Sequence, residues 1–150
     1  MVWKFQFKKK SINLFCQPSE TLLTNKDFQK YKSYFDAILL CPPYYDMEIY
    51  KSGEQSVNKW KTYSEWLTGY WEGTMKVCNY SLSPTGTFSF IINNYKSLNG
   101  IEYDLIKDLN LIASKYFKLK DIIKLHNRGS PLRVNHKDRT EMLFIYEYKN

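Results

Sequence analysis

The sequence has few of the residues that mark disulfide-rich, zinc-binding or membrane proteins. Its 150 residues include three cysteines, at positions 16, 41 and 78, with no Cys-x-x-Cys pair among them. An odd number of isolated cysteines excludes a disulfide framework and predicts no zinc or other metal site. No apolar run reaches the roughly 20 residues of a transmembrane helix, and residues 1–10 lack the apolar core of a signal peptide. We therefore expect a cytoplasmic protein (in the host cytoplasm, for a viral one) without a membrane association.

The chain also lacks internal repeats and any linker rich in glycine, serine or proline. Residues 1–150 are therefore predicted to form a single domain, long enough to bury a core without disulfides. Aromatic residues are abundant, since Tyr, Phe and Trp make up 17% of the chain, and the formal net charge is +7. The basic balance fits either a polyanionic partner or a lysine-rich solvated surface. The aromatic content fits either stacking on bases or the composition of an AT-rich genome.

Hydrophobic periodicity alternates along the chain between the patterns of strands and helices. The run at 35–40 is the clearest, because its apolar residues are typical of a strand covered on both faces of a parallel sheet. The order of the elements predicts an α/β fold with a mainly parallel sheet, helices on both faces and an antiparallel hairpin at the C-terminal edge. Strands are predicted over 2–7, 12–16, 35–40, 87–92, 119–125 and 141–148, helices over 25–34, 62–82 and 102–117, and a turn at 83–86.

The strongest functional feature is Cys41-Pro42-Pro43-Tyr44, which directly follows the strand predicted at 35–40. Ligands of open α/β sheets bind beyond the carboxyl ends of the strands, so this stiff turn should face a ligand. One reaction that suits such a turn is the methylation of an exocyclic amine. This reaction needs hydrogen-bond acceptors that hold the amine, and it needs no nucleophile from the protein. Prolines provide carbonyls without a competing N–H, and a tyrosine can stack on a base turned out of a duplex. The alternative is a strand that simply ends in prolines, with a tyrosine at the surface.

The segment from Phe35 to Tyr50 resembles motif IV of DNA amino-methyltransferases, written (D/N/S)PP(Y/F/W), in the Ser-Pro-Pro-Tyr branch. That branch is associated with methylation of cytosine N4 and some adenine N6, and it is common in phages and giant viruses. The resemblance continues through the helix at 62–82 and the turn at 83–86, and residues 12–19 match the strand of motif III. It covers roughly residues 11–148 and implies a Rossmann-like methyltransferase sheet, S-adenosylmethionine as cofactor and DNA as partner.

The same resemblance assigns roles to the residues of the turn. Pro42 would offer its carbonyl to the target amine, Tyr44 would stack on the base, and Pro43 completes the catalytic motif. Cys41 would supply the second acceptor, where the family has Asp, Asn or Ser. Because sulfur accepts hydrogen bonds weakly, this change should lower the rate of methyl transfer more than it alters the geometry of the turn. Further substrate contacts are expected in two loops, from Tyr45, Glu48, Tyr50, Arg128 and Arg133.

The loop at 126–138 that carries the two arginines is basic and fits either DNA phosphates or a solvated connection. One part of the family pattern is missing, because the cofactor loop FxGxG needs clustered glycines and the six glycines of this chain stand singly. An acidic residue for the ribose is missing as well. We therefore expect an incomplete sheet that lacks its first strands and exposes an apolar edge beside 35–40. The partial catalytic domain would be completed by a second polypeptide or by a homo-oligomer.

The predicted function is methyl transfer from S-adenosylmethionine to an exocyclic amine of cytosine or adenine in DNA. Two alternatives follow from the same residues. A catalytically inactive remnant that binds nucleic acid would explain the missing cofactor loop and the cysteine in the motif. A methyltransferase that acts on RNA or on a protein amide would use a related Pro-Pro-Tyr turn.

Overall fold

A computed structural model describes residues 12–47, 49, 55–126 and 140–149. Helices and strands alternate along this part of the chain, and none of the helices in it has both the length and the apolar character of a membrane span. In chain order the elements are a 3-10 helix (Ser19–Thr24), α1 (Lys26–Gln29), β1 (Phe35–Leu40), α2 (Ser56–Lys59), α3 (Tyr63–Glu65), a π-helical segment (Trp66–Trp71), α4 (Glu72–Ser81), β2 (Leu82–Ile92), β3 (Tyr95–Lys96), β4 (Glu102–Tyr103), α5 (Leu105–Ala113), β5 (Phe117–His126) and β6 (Thr140–Tyr148).

Four strands form one mixed sheet in the order β1-β2-β6-β5. β1 and β2 are parallel, and β6 lies between β2 and β5 and is antiparallel to both. The strands β1, β2 and β5 therefore run in one direction, and β6 opposes them. β3 and β4 form a separate antiparallel ribbon in which Tyr95 pairs with Tyr103. The α/β class, the common strand direction and the antiparallel hairpin at the C-terminal edge confirm the prediction from sequence.

The long helix between β1 and β2 starts at a capping box. The Thr62 hydroxyl accepts a hydrogen bond from the backbone N–H of Glu65, and the Glu65 carboxylate accepts one from the backbone N–H of Thr62. The helix then passes through the π-helical segment, where Trp66 and Trp71 are both fully buried. On an α-helix these two side chains would point about 140° apart, at 3.6 residues per turn. The wider π turn brings both tryptophans towards the core.

Both long helices pack on the same face of the sheet. Trp71 meets Phe90 of β2 with 5.0 Å between ring centroids, and its indole N–H donates to the carbonyl of Leu109 in α5 at 3.0 Å. The opposite face carries Leu39 and Ser89, and no helix covers it in the described residues. The expected second layer of helices is therefore not found there. The connections from β1 to β2 and from β2 to β5 both cross the sheet in the same direction. Because such crossovers are right-handed, both helices lie on the same face.

Residues 12–16 do not form the predicted strand. Ile12 and Leu14 are 65% and 90% exposed, so no sheet face receives their side chains. Phe15 instead contacts Phe28 and Tyr31 edge-on, in a small cluster beside the 3-10 helix. The helix predicted over 25–34 is shorter than expected and is the single turn α1, and the strand predicted at 2–7 lies outside the described residues.

The turn predicted at 83–86 is an irregularity inside β2. Phe35 pairs with Leu82 and Ala37 with Thr87, so four residues of β2 lie opposite Asp36 alone. A Cβ atom on Gly86 would lie 2.9 Å from the carbonyl oxygen of Phe35 and 2.7 Å from Leu82 Cδ1. Glycine at this position therefore permits the close approach of β2 to β1.

Gly86→Ala is expected to lower the free energy of unfolding by roughly 1–3 kcal/mol, the usual cost of overpacking. The added methyl group must displace the backbone at Phe35, which a flexible side chain cannot relieve. Urea unfolding followed by circular dichroism measures the loss. Thr85→Ala, at the exposed neighbouring position, is the control. Equal stability of the two variants would contradict the close packing of β2 on β1.

Candidate active site at the end of β1

The Cys41-Pro42-Pro43-Tyr44 turn starts at the residue that follows β1. The ladder of β1 with β2 ends where Leu40 pairs with Phe90, and the two prolines have no N–H with which to continue it. Pro42 is buried, Pro43 and Tyr44 are half-buried, and Cys41 is exposed with a free thiol. The predicted catalytic turn therefore lies at the carboxyl end of a parallel strand, where α/β sheets bind ligands.

A second tyrosine approaches the turn from the neighbouring strand. Tyr95, just beyond the end of β2, meets Tyr44 edge-to-face with 5.5 Å between ring centroids. On its other side it stacks on Tyr103 at 5.4 Å, across the β3–β4 ribbon. Tyr95 was not singled out from the sequence. Its position directly after the adjacent parallel strand was the available signal, because such strands end at the same edge of the sheet.

Asp46, two residues after Tyr44, joins the turn to this ribbon. The Tyr95 hydroxyl donates to Asp46 Oδ1 at 2.5 Å, and the Ser97 hydroxyl donates to Asp46 Oδ2 at 2.8 Å. The backbone N–H of Asp46 donates in return to the Tyr95 hydroxyl oxygen at 3.2 Å. Burial, together with the hydrogen bond to the Asp46 carboxylate, raises the pKa of the Tyr95 hydroxyl well above its ordinary value. The hydroxyl therefore remains a donor at neutral pH.

Tyr45 lies in the aromatic core beneath the turn. Its side chain is 8% exposed, and its hydroxyl donates to the backbone carbonyl of Lys61 at 3.0 Å. Its ring contacts Tyr63 and Tyr103 at centroid distances of 5.4 and 5.5 Å. Burial is the main cause of the raised pKa of its hydroxyl. The other four predicted substrate contacts, Glu48, Tyr50, Arg128 and Arg133, lie outside the described residues.

A groove of about 1040 Å³ opens beside Pro43 and Tyr45. α2 and the 3-10 helix form its other walls, so it lies against the predicted catalytic turn. Its polar lining includes Glu20, whose side chain is 6% exposed and pairs with Lys59 Nζ at 3.3 Å. A volume of this size accommodates a ligand as large as a nucleoside cofactor. A smaller cavity of about 560 Å³ lies far from the turn, between the end of α5 and the β5–β6 hairpin.

No cluster of three or more potential metal ligands occurs in the described part of the chain.

Solved structures share this architecture. A protein from Thermus thermophilus, assigned as a DNA modification methylase, superposes with a TM-score of 0.63 and 13% sequence identity, over 89% of this chain and 52% of that one. The same protein complexed with S-adenosyl-L-methionine superposes with a TM-score of 0.61 and 14% identity, over 89% of this chain and 54% of that one. The chain has a methyltransferase fold.

The chain spans about half the length of the solved structures that it matches. No protein-family model matches the sequence, and no curated protein matches it. At this level of identity the similarity establishes the fold alone.

Proposed function

We propose that this chain forms the part of an S-adenosylmethionine-dependent methyltransferase that receives the target base, and that it methylates an exocyclic amine of cytosine or adenine in DNA. The observation that carries the proposal is the Cys41–Tyr44 turn at the carboxyl end of β1, with the Tyr44 ring held against Tyr95. The similar protein from Thermus thermophilus, assigned as a DNA modification methylase and complexed with S-adenosyl-L-methionine, supports both the cofactor and DNA as the partner.

The groove beside Pro43 fits the cofactor in volume and in the chemistry of its lining. Its polar side chains, among them Glu20 and Asn58, would bind hydroxyl and amino groups, and Tyr45 and Tyr70 would cover the apolar parts. When bound there, S-adenosylmethionine would supply an electrophilic methyl group on its sulfonium. Pro43 lines the groove and belongs to the turn, so the two ligands would meet at this residue.

The turn would act on the amine by orientation. A carbonyl on Pro42 that accepts an amine hydrogen draws the nitrogen out of conjugation with the base and directs its lone pair towards the methyl group. The ring of Tyr44 would stack on the base once the base has left the duplex. The exposed thiol of Cys41 would occupy the second acceptor position, and as a weak acceptor it would leave most of the restraint to the backbone carbonyl.

We further propose that a complementing polypeptide segment carries the glycine-rich cofactor loop and adds a strand beside β1. β1 has no partner on its outer edge in the described residues, and Leu39, on the uncovered face of the sheet beside that edge, is 62% exposed. An unpaired apolar edge of this kind favours the addition of a strand.

Incubation of the purified chain with tritiated S-adenosylmethionine and duplex DNA tests the function. We would run the reaction alone and with the product of any adjacent reading frame that carries an FxGxG loop, and analyse the nucleosides by mass spectrometry. The expected product is N4-methylcytosine or N6-methyladenine. In parallel reactions that offer RNA or protein in place of DNA, label in either of these and none in DNA would contradict DNA as the substrate. Nucleic-acid binding without label in either reaction would contradict catalysis and favour an inactive remnant.

A further inference from the structure

The two residues that follow Tyr44 fix the turn in two different ways. Tyr45 is anchored in the core, whereas Asp46 is bound by two hydroxyl groups of the β3–β4 ribbon. Each oxygen of the Asp46 carboxylate accepts one of these hydrogen bonds. We call the hydrogen-bonded group of Asp46, Tyr95 and Ser97 the Asp46 latch.

The ribbon is a firm support for the latch because it is tied to α5 and to the long helix. Asn94 Oδ1 accepts a hydrogen bond from the backbone N–H of Ile106, in the first turn of α5, at 2.9 Å. Tyr63, at the start of the long helix, lies 4.6 Å from Tyr103 between ring centroids, and its hydroxyl donates to Asp108 Oδ2 at 2.8 Å. Movement of the ribbon would break these contacts, so the Tyr95 ring has a defined position.

The chemistry of the latch specifies aspartate rather than asparagine. A carboxylate offers two acceptor oxygens, and both Tyr95 and Ser97 donate to it. An asparagine amide has one acceptor oxygen, so one of the two hydroxyls would have to accept a hydrogen bond from the amide N–H instead of donating one. Hydrogen bonds to an ionised group are also shorter and stronger than those between neutral groups.

We infer that Asp46 is a positioning residue that acts through Tyr95 to set the orientation of the Tyr44 ring. Tyr95 is the link, because its hydroxyl is bound to Asp46 and the edge-to-face ring contact joins it to Tyr44. The latch thus fixes the Tyr44 ring, on which a base would stack, before the base binds. The consequence for catalysis rests on the proposed function, whereas the orientation of Tyr44 does not.

Fluorine NMR of the full chain labelled with 3-fluorotyrosine tests the latch directly. The Tyr44 resonance is assigned by its loss in Tyr44→Phe, and it is then followed in Asp46→Asn and Tyr95→Phe. Tyr103→Phe is the matched control, since it removes a hydroxyl from the next ring of the same stack and leaves the latch bonds in place. We expect the Tyr44 resonance to shift or broaden in both latch variants and to stay near its original position in the control.

Methyl transfer provides the second readout. In Asp46→Asn we expect kcat to fall about tenfold, the usual effect of losing a hydrogen bond to a charged group, while KM for the cofactor stays unchanged. A Tyr44 resonance that is the same in wild type, Asp46→Asn and Tyr95→Phe would overturn the inference, whatever the kinetics show. If no methyl group is transferred either by the wild-type chain alone or with the complementing product, the proposed function fails and the NMR result alone decides the latch. Ser97→Ala, which removes a single bond, replaces Asp46→Asn if that variant does not fold.

Discussion

Tyr44→Ala is expected to lower kcat/KM for DNA methylation roughly 10- to 100-fold, since stacking of a base on an aromatic ring contributes about 1–3 kcal/mol. The half-buried side chain lies on the surface of the turn, so its removal should leave the fold intact. Methyl transfer to a duplex with 2-aminopurine beside the target base reports both rate and base extrusion. We expect the fluorescence change that accompanies extrusion to weaken in parallel with the rate.

Two other variants serve as controls for the loss of the hydroxyl group and for the loss of a tyrosine elsewhere on the surface. Tyr44→Phe keeps the ring and should retain most of the activity, because stacking needs only the aromatic face. Tyr34→Ala removes an exposed tyrosine that precedes β1, away from the turn at its opposite end. Tyr44→Ala as active as Tyr34→Ala would contradict a role for Tyr44 in binding the base.

Trp71→Ala is expected to lower the free energy of unfolding by about 3–5 kcal/mol, the usual cost of deleting a buried aromatic side chain. The indole is fully buried between the long helix, β2 and α5, so its removal leaves a cavity where the three elements meet. Urea unfolding measured by near-ultraviolet circular dichroism gives the value. The change also removes the hydrogen bond that the indole N–H donates to the Leu109 carbonyl.

A pair of conservative variants isolates that hydrogen bond. Trp71→Phe removes an indole N–H that donates to Leu109, whereas Trp60→Phe removes a buried indole N–H that has no hydrogen-bond partner among the described residues. Trp71→Phe should therefore be the more destabilising change by about 1 kcal/mol, the net value of a typical hydrogen bond. A larger loss in Trp60→Phe would show that the bond between Trp71 and α5 contributes little.

Local signals in the sequence predicted the position of the Cys41–Tyr44 turn. The apolar run at 35–40 indicated a strand, and two prolines directly after it ended that strand at a defined residue. The expectation that this strand is covered on both faces was wrong, because none of its residues is buried in the described structure. The start of the long helix near residue 62 was equally local, because Thr62 and Glu65 form their capping box within one turn. These features depend on neighbours in the sequence, so composition and spacing were sufficient to find them.

Features that depend on distant pairing were missed or wrong. The bond between Tyr95 and Asp46 joins residues 49 positions apart, and nothing near either residue indicates it. Residues 12–16 alternate like a strand, but a strand also needs a partner, which they do not find in the described structure. The π-helical segment was not predicted, because its wider turn serves the packing of Trp66 and Trp71 in the core.

Among the described residues β1 is the edge strand of the four-stranded sheet, and the Cys41–Tyr44 turn continues directly from it. An edge strand is held by hydrogen bonds on one side only, so alternate amides of β1 fluctuate more freely. The Asp46 latch holds the turn at its other end. Under the proposed function, a polypeptide that pairs with β1 would therefore stiffen the turn as well as supply the cofactor loop. An unassembled chain would then hold the base less firmly and would lack the loop that binds the methyl donor, so bases would seldom be extruded without being methylated.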